Sequence, residues 1–289
     1  MKRLSLLVVI LWLFGSCLRS QSPVPVAEED CILQPSDKAI FEKLRKEFGD
    51  ARSKDPGELV LAIGKFFLET PYVGHTLEKG DTEKLVINLR ELDCTTFAEN
   101  CLALSRSLRQ KNPEFGDFLR ELRFIRYRDG KINGYPSRLH YFSDWIYDND
   151  RKGTVESLSK EIAHTLVPKK INFMGKHTDS YPILQRIPEF VPVIAAQEAE
   201  ISNRMTWFIP EDRLAVVENK IKDGDIIGIT TNIDGMDISH VVIAVRFNGR
   251  IRFIHASSKE MKVVISDQTL EEYLLNSKMA SGIMVARPL

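Results

Sequence analysis

Apolar residues recur at helical spacing in the middle of the first half of the chain. Within residues 94–108, the apolar positions that share one helical face are Phe97, Cys101, Leu104 and Leu108. Spacings of three and four residues are typical of a helix that buries one face. Asp93 precedes the stretch and is a good N-cap. The pattern therefore predicts a helix that begins at Cys94.

Similar patterns predict further helices on both sides of this one. Ser36 is the expected cap of a helix that carries the apolar residues Ile40, Phe41, Leu44 and Phe48. A second helix is predicted from about residue 56 to residue 70, with a proline at its start. A helix near 113–120 is followed by residues 122–128, where apolar and basic residues alternate as in a strand.

The middle of the chain combines one aromatic-rich helix with a loop-rich region. Residues 137–149 predict a helix whose core face is formed by Leu139, Phe142, Trp145 and Ile146. Residues 151–215 show little periodicity and contain several prolines. This second region is expected to be a helical and loop insertion around a site, rather than a separate domain.

The C-terminal part of the chain changes to strand patterns. The predicted strands lie within residues 225–231, 239–247, 250–257, 262–266 and 282–289. Asn248-Gly249 is a strong signal for a two-residue hairpin between the second and third of them. A helix over 268–275, capped by Ser266 or Asp267, precedes the last strand. Helices first and a mostly antiparallel sheet afterwards predict an α+β domain.

Length and charge narrow the class of protein. The 289 residues suffice for one elaborated domain, placed here at residues 36–289. With 40 basic and 40 acidic residues, nothing indicates a nucleic acid partner. Residues 1–20 have two basic residues, a short apolar run and small residues, as in a secretory signal, and residues 21–35 resemble a linker. An exported protein of a bacterial periplasm or envelope is expected, and Cys17, in an imperfect lipoprotein box, is a candidate lipid anchor.

The cysteines do not form a disulfide scaffold. Cys94 and Cys101 are seven residues apart on one predicted helix, which places them about 10 Å apart, beyond disulfide reach. Cys31 has no obvious partner in a lead segment that is expected to be poorly ordered. A free cysteine in an exported protein is therefore a candidate reactive thiol.

Cys94 and two distant histidines form the candidate chemistry. At a helix start, unpaired N–H groups and the helix dipole favour a thiolate, although a lone cysteine is more often an inert core residue. His240 opens one predicted strand and lies eight residues before Asn248, and His255 ends the next strand, six residues after Gly249. They are thus near neighbours that could act as base and orienting group. Zinc is the alternative, but neither an adjacent carboxylate nor a third histidine completes a site, so no metal is predicted.

Several short motifs resemble a known family. ELDCTTFAE, DGDIIGI, SHVVIAV and IHAS are similar to the motifs of the NlpC-type papain-like cell-wall cysteine hydrolases. TPYVGHTLE, LVINLRELDC, SRLHYFSDWI and INFMGKH resemble one branch, the N-acetylmuramoyl-L-alanine amidases formerly catalogued as a domain of unknown function. The resemblance covers residues 36–289. Thr95-Thr96 replaces the Ser-Gly that many relatives have after the cysteine, which fits the amidase branch better than the endopeptidases.

The resemblance implies a fold and a set of site residues. The implied fold is a papain-like core, in which N-terminal helices, with the nucleophile at a helix start, pack on the C-terminal sheet. Cys94 matches the nucleophile, His240 the general base and acid, His255 the orienting residue, and Tyr72 an active-site tyrosine that could donate to an oxyanion. No cofactor is implied. Independently of the resemblance, further candidates for binding substrate are Arg138, His140 and Tyr141, although these could equally belong to a structural helix.

Three functions are compared. The resemblance favours an amidase that cuts between N-acetylmuramic acid and L-Ala, acting as a monomer on soluble muropeptides, with anhydro-muropeptides implied by the branch. A γ-D-glutamyl stem-peptide endopeptidase of the same superfamily is the alternative enzyme. A non-catalytic muropeptide-binding envelope protein is the alternative from another class.

Overall fold

The computed structural model of the protein describes residues 24–49, 51–80, 82–166 and 170–289. The predicted signal peptide at 1–20, Cys17 and the first part of the predicted linker lie outside these residues. Within them, no helix has the length and apolar character needed to cross a membrane. Cys31, expected in a poorly ordered segment, lies instead in a short strand that pairs with Leu85.

The helices precede most of the strands along the chain. Their bounds are α1 Pro35–Phe48, α2 Pro56–Phe66, α3 Cys94–Leu108, α4 Phe115–Arg126, α5 Phe142–Arg151, α6 Ser159–Ala163, α7 Phe173–Lys176, α8 Pro182–Arg186, α9 Phe190–Asn203, α10 Leu214–Val217 and α11 Leu270–Asn276. The helix predicted to begin at Cys94 is therefore confirmed at its first residue.

The strands form one large sheet and one small one. Their bounds are β1 Cys31–Ile32, β2 Leu85–Val86, β3 Val155–Ser157, β4 Thr165–Leu166, β5 Trp207–Pro210, β6 Ile226–Thr231, β7 Ile238–Phe247, β8 Arg250–Ser257, β9 Lys262–Ile265 and β10 Ala280–Pro288. The large sheet has the order β4-β5-β10-β6-β7-β8-β9, with β3 also on β10, and its neighbouring strands are antiparallel. This confirms a mixed fold of helices and an antiparallel sheet.

The sheet has a buried core on each face. On β7, Val241, Ile243 and Val245 join a cluster that includes apolar residues of α1 to α5. Val242 and Ala244, which alternate with them, join a second cluster under α10 and α11. Because successive strand residues point to opposite faces, a strand covered on both sides reads as a continuous apolar run. The apolar run in SHVVIAV therefore reflects the burial of β7 on both faces of the sheet.

Three predictions about element boundaries are wrong. Residues 122–128 are not a strand, because α4 continues through Arg126. The apparent alternation of apolar and basic residues arises because the Arg126 side chain is itself buried, in an ion pair with Glu99. The cap of α1 is Gln34, since Pro35 takes the first helical position, and the cap of α11 is Thr269, whose hydroxyl accepts from the Glu272 N–H.

The hairpin between β7 and β8 has the predicted turn. Asn248 and Gly249 have φ values of 50° and 81°, as a two-residue turn of this type requires. Ile243 pairs with Ile254 across the hairpin. Continued by one residue, this register sets His255 opposite Val242, two residues from His240. The region 151–215 contains α6 to α9 and loops as expected, and it also supplies β3, β4 and β5 to the large sheet.

Candidate active site

Cys94 is the first residue of α3, and its position is set by the segment before it. The Asp93 carboxylate accepts a hydrogen bond from the Thr96 N–H at 2.7 Å, and the Asp93 N–H donates to the Thr96 hydroxyl at 2.9 Å. The N–H of Leu92 donates to the Pro71 carbonyl, and that of Val73 to the Leu92 carbonyl. The helix start is therefore held by a reciprocal cap and by a pairing that brings residues 71–73 alongside it.

The two histidines form a direct pair. His240 Nε2 and His255 Nδ1 lie 2.6 Å apart, and the two rings meet edge to face with centroids 4.9 Å apart. A hydrogen bond between two imidazoles needs one nitrogen to donate and the other to accept. Their prediction as neighbours at one end of the sheet is confirmed.

The start of β7 packs against the segment that carries Cys94. Val241, which directly follows His240, belongs to the apolar cluster against which Cys94 packs, and its backbone amide lowers the pKa of the Cys94 thiol. Tyr72 lies beside the residues that precede Cys94, since it pairs with Leu92, and burial raises the pKa of its hydroxyl group. The structure thus pairs His240 with His255, and packs Cys94 and Tyr72 against the core that includes Val241.

The helix start does not by itself make Cys94 a thiolate. Burial, and then the negative charge of Asp93, raises the pKa of the Cys94 thiol to about 11, although hydrogen bonds from Val241 and Thr95 act in the opposite direction. The expected bias toward thiolate is therefore wrong for the resting protein. The desolvation of a buried sulfur outweighs the effect of the helix N-terminus.

The histidine pair is neutral at physiological pH. Burial, followed by the repulsion from His255, lowers the pKa of His240, and burial lowers that of His255. If His240 is to accept a proton on Nδ1, its Nε2 must carry the hydrogen that is donated to His255 Nδ1. The His240 imidazole is then neutral, and its orientation is held by a second imidazole.

Arg138, His140 and Tyr141 make contacts of a different kind. Arg138 is buried and pairs with Glu78 at 2.9 Å and Glu83 at 3.4 Å. A ring nitrogen of His140 lies 2.9 Å from the Tyr135 carbonyl oxygen. Burial, and then the charge of Arg138, lowers the pKa of His140 to about 3. The Tyr141 hydroxyl donates to Glu198 at 2.7 Å and accepts from the Met174 N–H.

The two hydrogen bonds of Tyr141 connect the loop before α5 to α9 and to the segment INFMGKH. A role of Arg138, His140 and Tyr141 in binding substrate stays a prediction. The helix predicted over 137–149 begins only at Phe142, so Leu139 lies before it, although Leu139, Phe142, Trp145 and Ile146 are all buried as expected.

Two residues near the histidines were not found from the sequence. Phe253 alternates with His255 along β8, and its ring lies 4.9 Å from the His255 ring. Tyr273 lies on α11 and contacts Phe253 at 5.2 Å. The two-residue period of a strand could have indicated Phe253, whereas no local signal joins Tyr273 to Cys94. In the described part of the chain, no group of three His, Cys, Asp or Glu side chains could hold a metal.

Comparison with known proteins identifies one matching family model and several similar solved structures. The model of the AmiA-like family, described as N-acetylmuramoyl-L-alanine amidase-like, matches residues 62–283. An N-acetylmuramoyl-L-alanine amidase from Bacteroides uniformis is 38% identical, with a TM-score of 0.78 over 81% of this chain and 98% of that one. A putative xylanase from Bacteroides fragilis is 42% identical, with a TM-score of 0.75 over 78% of this chain and 99% of that one.

More distant comparisons add the fold alone. A Legionella pneumophila protein of the DUF1460 family is 21% identical, with a TM-score of 0.64 over 88% of this chain and 95% of that one. Comparison with proteins of curated function gives no match. Because the family model spans more than half of the sequence and the 38% identical structure covers most of it, this chain belongs to the AmiA-like, N-acetylmuramoyl-L-alanine amidase-like family.

Proposed function

We propose that the protein is a cysteine-dependent peptidoglycan amidase with a papain-like core. It hydrolyses the amide between the lactyl group of N-acetylmuramic acid and L-Ala, with soluble anhydro-muropeptides as its substrates. The observation that carries the proposal is the position of Cys94 at a helix start, packed against the cluster that contains the residue after His240, in a chain of this family. The 2.6 Å pair of His240 and His255 supplies a base and the group that orients it.

Acylation begins from neutral groups. Because the Cys94 thiol and the His240 imidazole are both uncharged, His240 Nδ1 takes the thiol proton as the sulfur attacks the lactyl carbonyl carbon. The carbonyl oxygen becomes an oxyanion, for which the Cys94 N–H at the helix start and the Tyr72 hydroxyl are the donors. The imidazolium then gives its proton to the nitrogen of L-Ala, the C–N bond breaks, and a thioester remains on Cys94.

Deacylation reverses the proton transfers with water as the nucleophile. His240 takes a proton from a water molecule, whose oxygen attacks the thioester carbon. The second tetrahedral intermediate collapses with release of the sulfur, which regains its proton from His240. The products are the muramic acid carboxylic acid and the free stem peptide. The hydrogen bond to His255 keeps His240 in the tautomer that both steps require.

The residues at this site disfavour glycoside hydrolysis, the activity named for the Bacteroides fragilis neighbour. That chemistry requires two carboxyl groups on either side of a glycosidic bond. The groups proposed here are a thiol and two imidazoles, and the carboxylate next to the thiol, that of Asp93, is engaged as the cap of α3.

The test is a digestion of a defined disaccharide-tetrapeptide, in its anhydro and reducing forms, followed by mass spectrometry. Release of the intact tetrapeptide and the disaccharide supports the amidase. A disaccharide-dipeptide product would move the scissile bond to the endopeptidase position. If neither substrate is cleaved, the proposal fails and a binding protein becomes the better explanation.

His255 should affect turnover more than substrate binding. Replacing it with leucine removes the acceptor for the His240 N–H, so that His240 can adopt the wrong tautomer, and kcat should fall roughly 100-fold with little change in KM. His255→Asn keeps an acceptor at a similar distance and should recover much of the loss. Steady-state kinetics of both variants provide the measurement. Equal activity of the leucine variant and the wild type would contradict the orienting role.

The pH profile should be flat across neutrality. The pKa of His240 is lowered and that of the Cys94 thiol is raised to about 11, so neither group changes charge between about pH 5.5 and 9. Activity should fall only as the pH drops through the lowered pKa of His240, because an imidazolium cannot accept the thiol proton. Measurement of kcat/KM over this range checks the expectation. An acid limb near about pH 6.5 would contradict it, because it would show an imidazole that titrates at its ordinary pKa.

A further inference from the structure

Four aromatic rings contact one another in sequence, and the first two belong to the histidine pair. His240 meets His255 at 4.9 Å and 80°, His255 meets Phe253 at 4.9 Å and 71°, and Phe253 meets Tyr273 at 5.2 Å and 79°. Each contact is edge to face, the arrangement that places the positive edge of one ring over the negative face of the next. The four residues form a ring ladder that runs from β7 through β8 to α11.

Phe253, the third ring of this ladder, is fixed by the core around it. Phe253 is fully buried and belongs to the core cluster that includes Val242 and Ala244 of β7 and Leu270 and Leu274 of α11. Side chains in such a core are held in one rotamer by their neighbours. A ring that lies against Phe253 therefore has its own orientation restricted.

Tyr273, the last ring of the ladder, lies on α11, a short helix that also packs on the core. Thr269 and Glu272 form a reciprocal cap at the start of α11, and Leu270 and Leu274 bury one side of it. Tyr273 is half-buried and projects onto Phe253.

The orientation of His255 matters because its two ring edges are chemically different. Only Nδ1 at 2.6 Å can accept the His240 N–H, whereas a half-turn of the ring would present a C–H group. Among the described residues, the hydrogen bond to His240 is the one that the His255 ring makes. Packing must therefore supply the rest of its orientation.

We propose that Phe253 and Tyr273 are positioning residues of the catalytic pair, which hold the His255 imidazole against His240 through the ring ladder. This inference rests on the proposed function for its kinetic consequence, but its structural content does not depend on the substrate. Neither residue touches the reacting atoms. Loss of an outer ring should loosen His255 and lower the fraction of molecules in which His240 has the productive tautomer.

The variant to measure is Tyr273→Leu, since a half-buried position tolerates the change better than Phe253 would. Its kcat on the disaccharide-tetrapeptide should fall roughly three- to tenfold, with KM within about twofold of the wild type. Tyr273→Phe keeps the ring and should retain full kcat. Leu275→Ala, at an exposed position of the same helix, is the matched control for disturbance of α11 and should also retain it.

A second readout does not require turnover. The chain has six histidines, so ¹⁵N-histidine labelling gives few imidazole signals. In the wild type and in Tyr273→Phe, His240 and His255 should each show one tautomer, whereas Tyr273→Leu should show averaging of both. Failure of the wild type to cleave any substrate would reject the proposed function and leave this spectrum as the test of the ladder.

Two results would contradict the proposal that Phe253 and Tyr273 position His255. One is a Tyr273→Leu variant with wild-type kcat or, where turnover is absent, with wild-type tautomers. The other is an equal loss of kcat in Tyr273→Phe and Tyr273→Leu, which would assign the effect to the hydroxyl group, in direct contact with the reaction, rather than to the ring.

Discussion

Replacing Cys94 with serine should lower the release of stem peptide by about ten-thousand-fold or more, while the fold is retained. A serine hydroxyl is far less acidic than the thiol, and His240 is a weak base because its pKa is lowered. The variant would therefore face a larger barrier at the first proton transfer, and its oxygen would be the poorer nucleophile. The measurement is a single-turnover assay of the disaccharide-tetrapeptide, with tetrapeptide detected by mass spectrometry.

The chain contains a suitable control for loss of a thiol. Cys31 lies in β1, on a part of the chain where its sulfur contacts the Ala27 carbonyl rather than the site. Cys31→Ser should keep wild-type activity. Inactivation of the wild type by iodoacetamide should track with modification of the peptide that carries Cys94 and not with that of the half-buried Cys31, while Cys101 is fully buried. Tetrapeptide release by Cys94→Ser at more than about 1% of the wild-type rate would remove Cys94 from the role of nucleophile.

Features with local causes could be predicted from the sequence. The start of α3 depends on Asp93 and Thr96, which are close to Cys94 in the chain and satisfy the helix N-terminus themselves. The β7–β8 hairpin depends on two residues that readily adopt positive φ. Once the turn is known, counting along two strands is enough to make His240 and His255 neighbours. Local signals and strand counting are therefore sufficient to pair the two candidate catalytic histidines.

Features that depend on burial could not be predicted in this way. The acidity of Cys94 follows from how completely its sulfur is removed from water, and a helical pattern carries no measure of that. Tyr273 reaches the site only because α11 packs on the face of the sheet that carries Phe253. The same limitation explains the error over residues 122–128, where the alternation predicts a strand and Arg126 is instead enclosed in a helix.

That arginine is the basis of the largest expected effect on stability. Arg126 Nε lies 2.7 Å from a Glu99 carboxylate oxygen, and each side chain is 2% exposed. The Arg126 guanidinium also donates to the Val86 carbonyl at 2.6 Å. Because Glu99 lies on α3, Arg126 on α4 and Val86 on β2, the pair joins the helix that begins at Cys94 to two of its neighbours.

Arg126→Met should lower the free energy of unfolding by about 3–5 kcal/mol, because it leaves the Glu99 carboxylate buried without its partner. In the wild type, burial raises the pKa of Glu99 and the charge of Arg126 partly offsets this rise. The variant loses the offset, so the pKa of Glu99 should rise further. A raised carboxyl pKa favours the folded state at low pH, where the group is neutral, and the deficit should therefore grow as the pH rises from about 5 to 8. Urea unfolding at both pH values measures it.

The control for this prediction is the double variant Arg126→Met with Glu99→Leu, which removes both charges and fills the space with apolar atoms. Replacement of a whole buried pair is often neutral, so this variant should recover most of the stability and lose the pH dependence of the deficit. It should also restore the rate of tetrapeptide release if the pair acts only by holding α3 in place. A double variant as unstable as Arg126→Met would show that the hydrogen bond to Val86, rather than the charge left on Glu99, accounts for the loss.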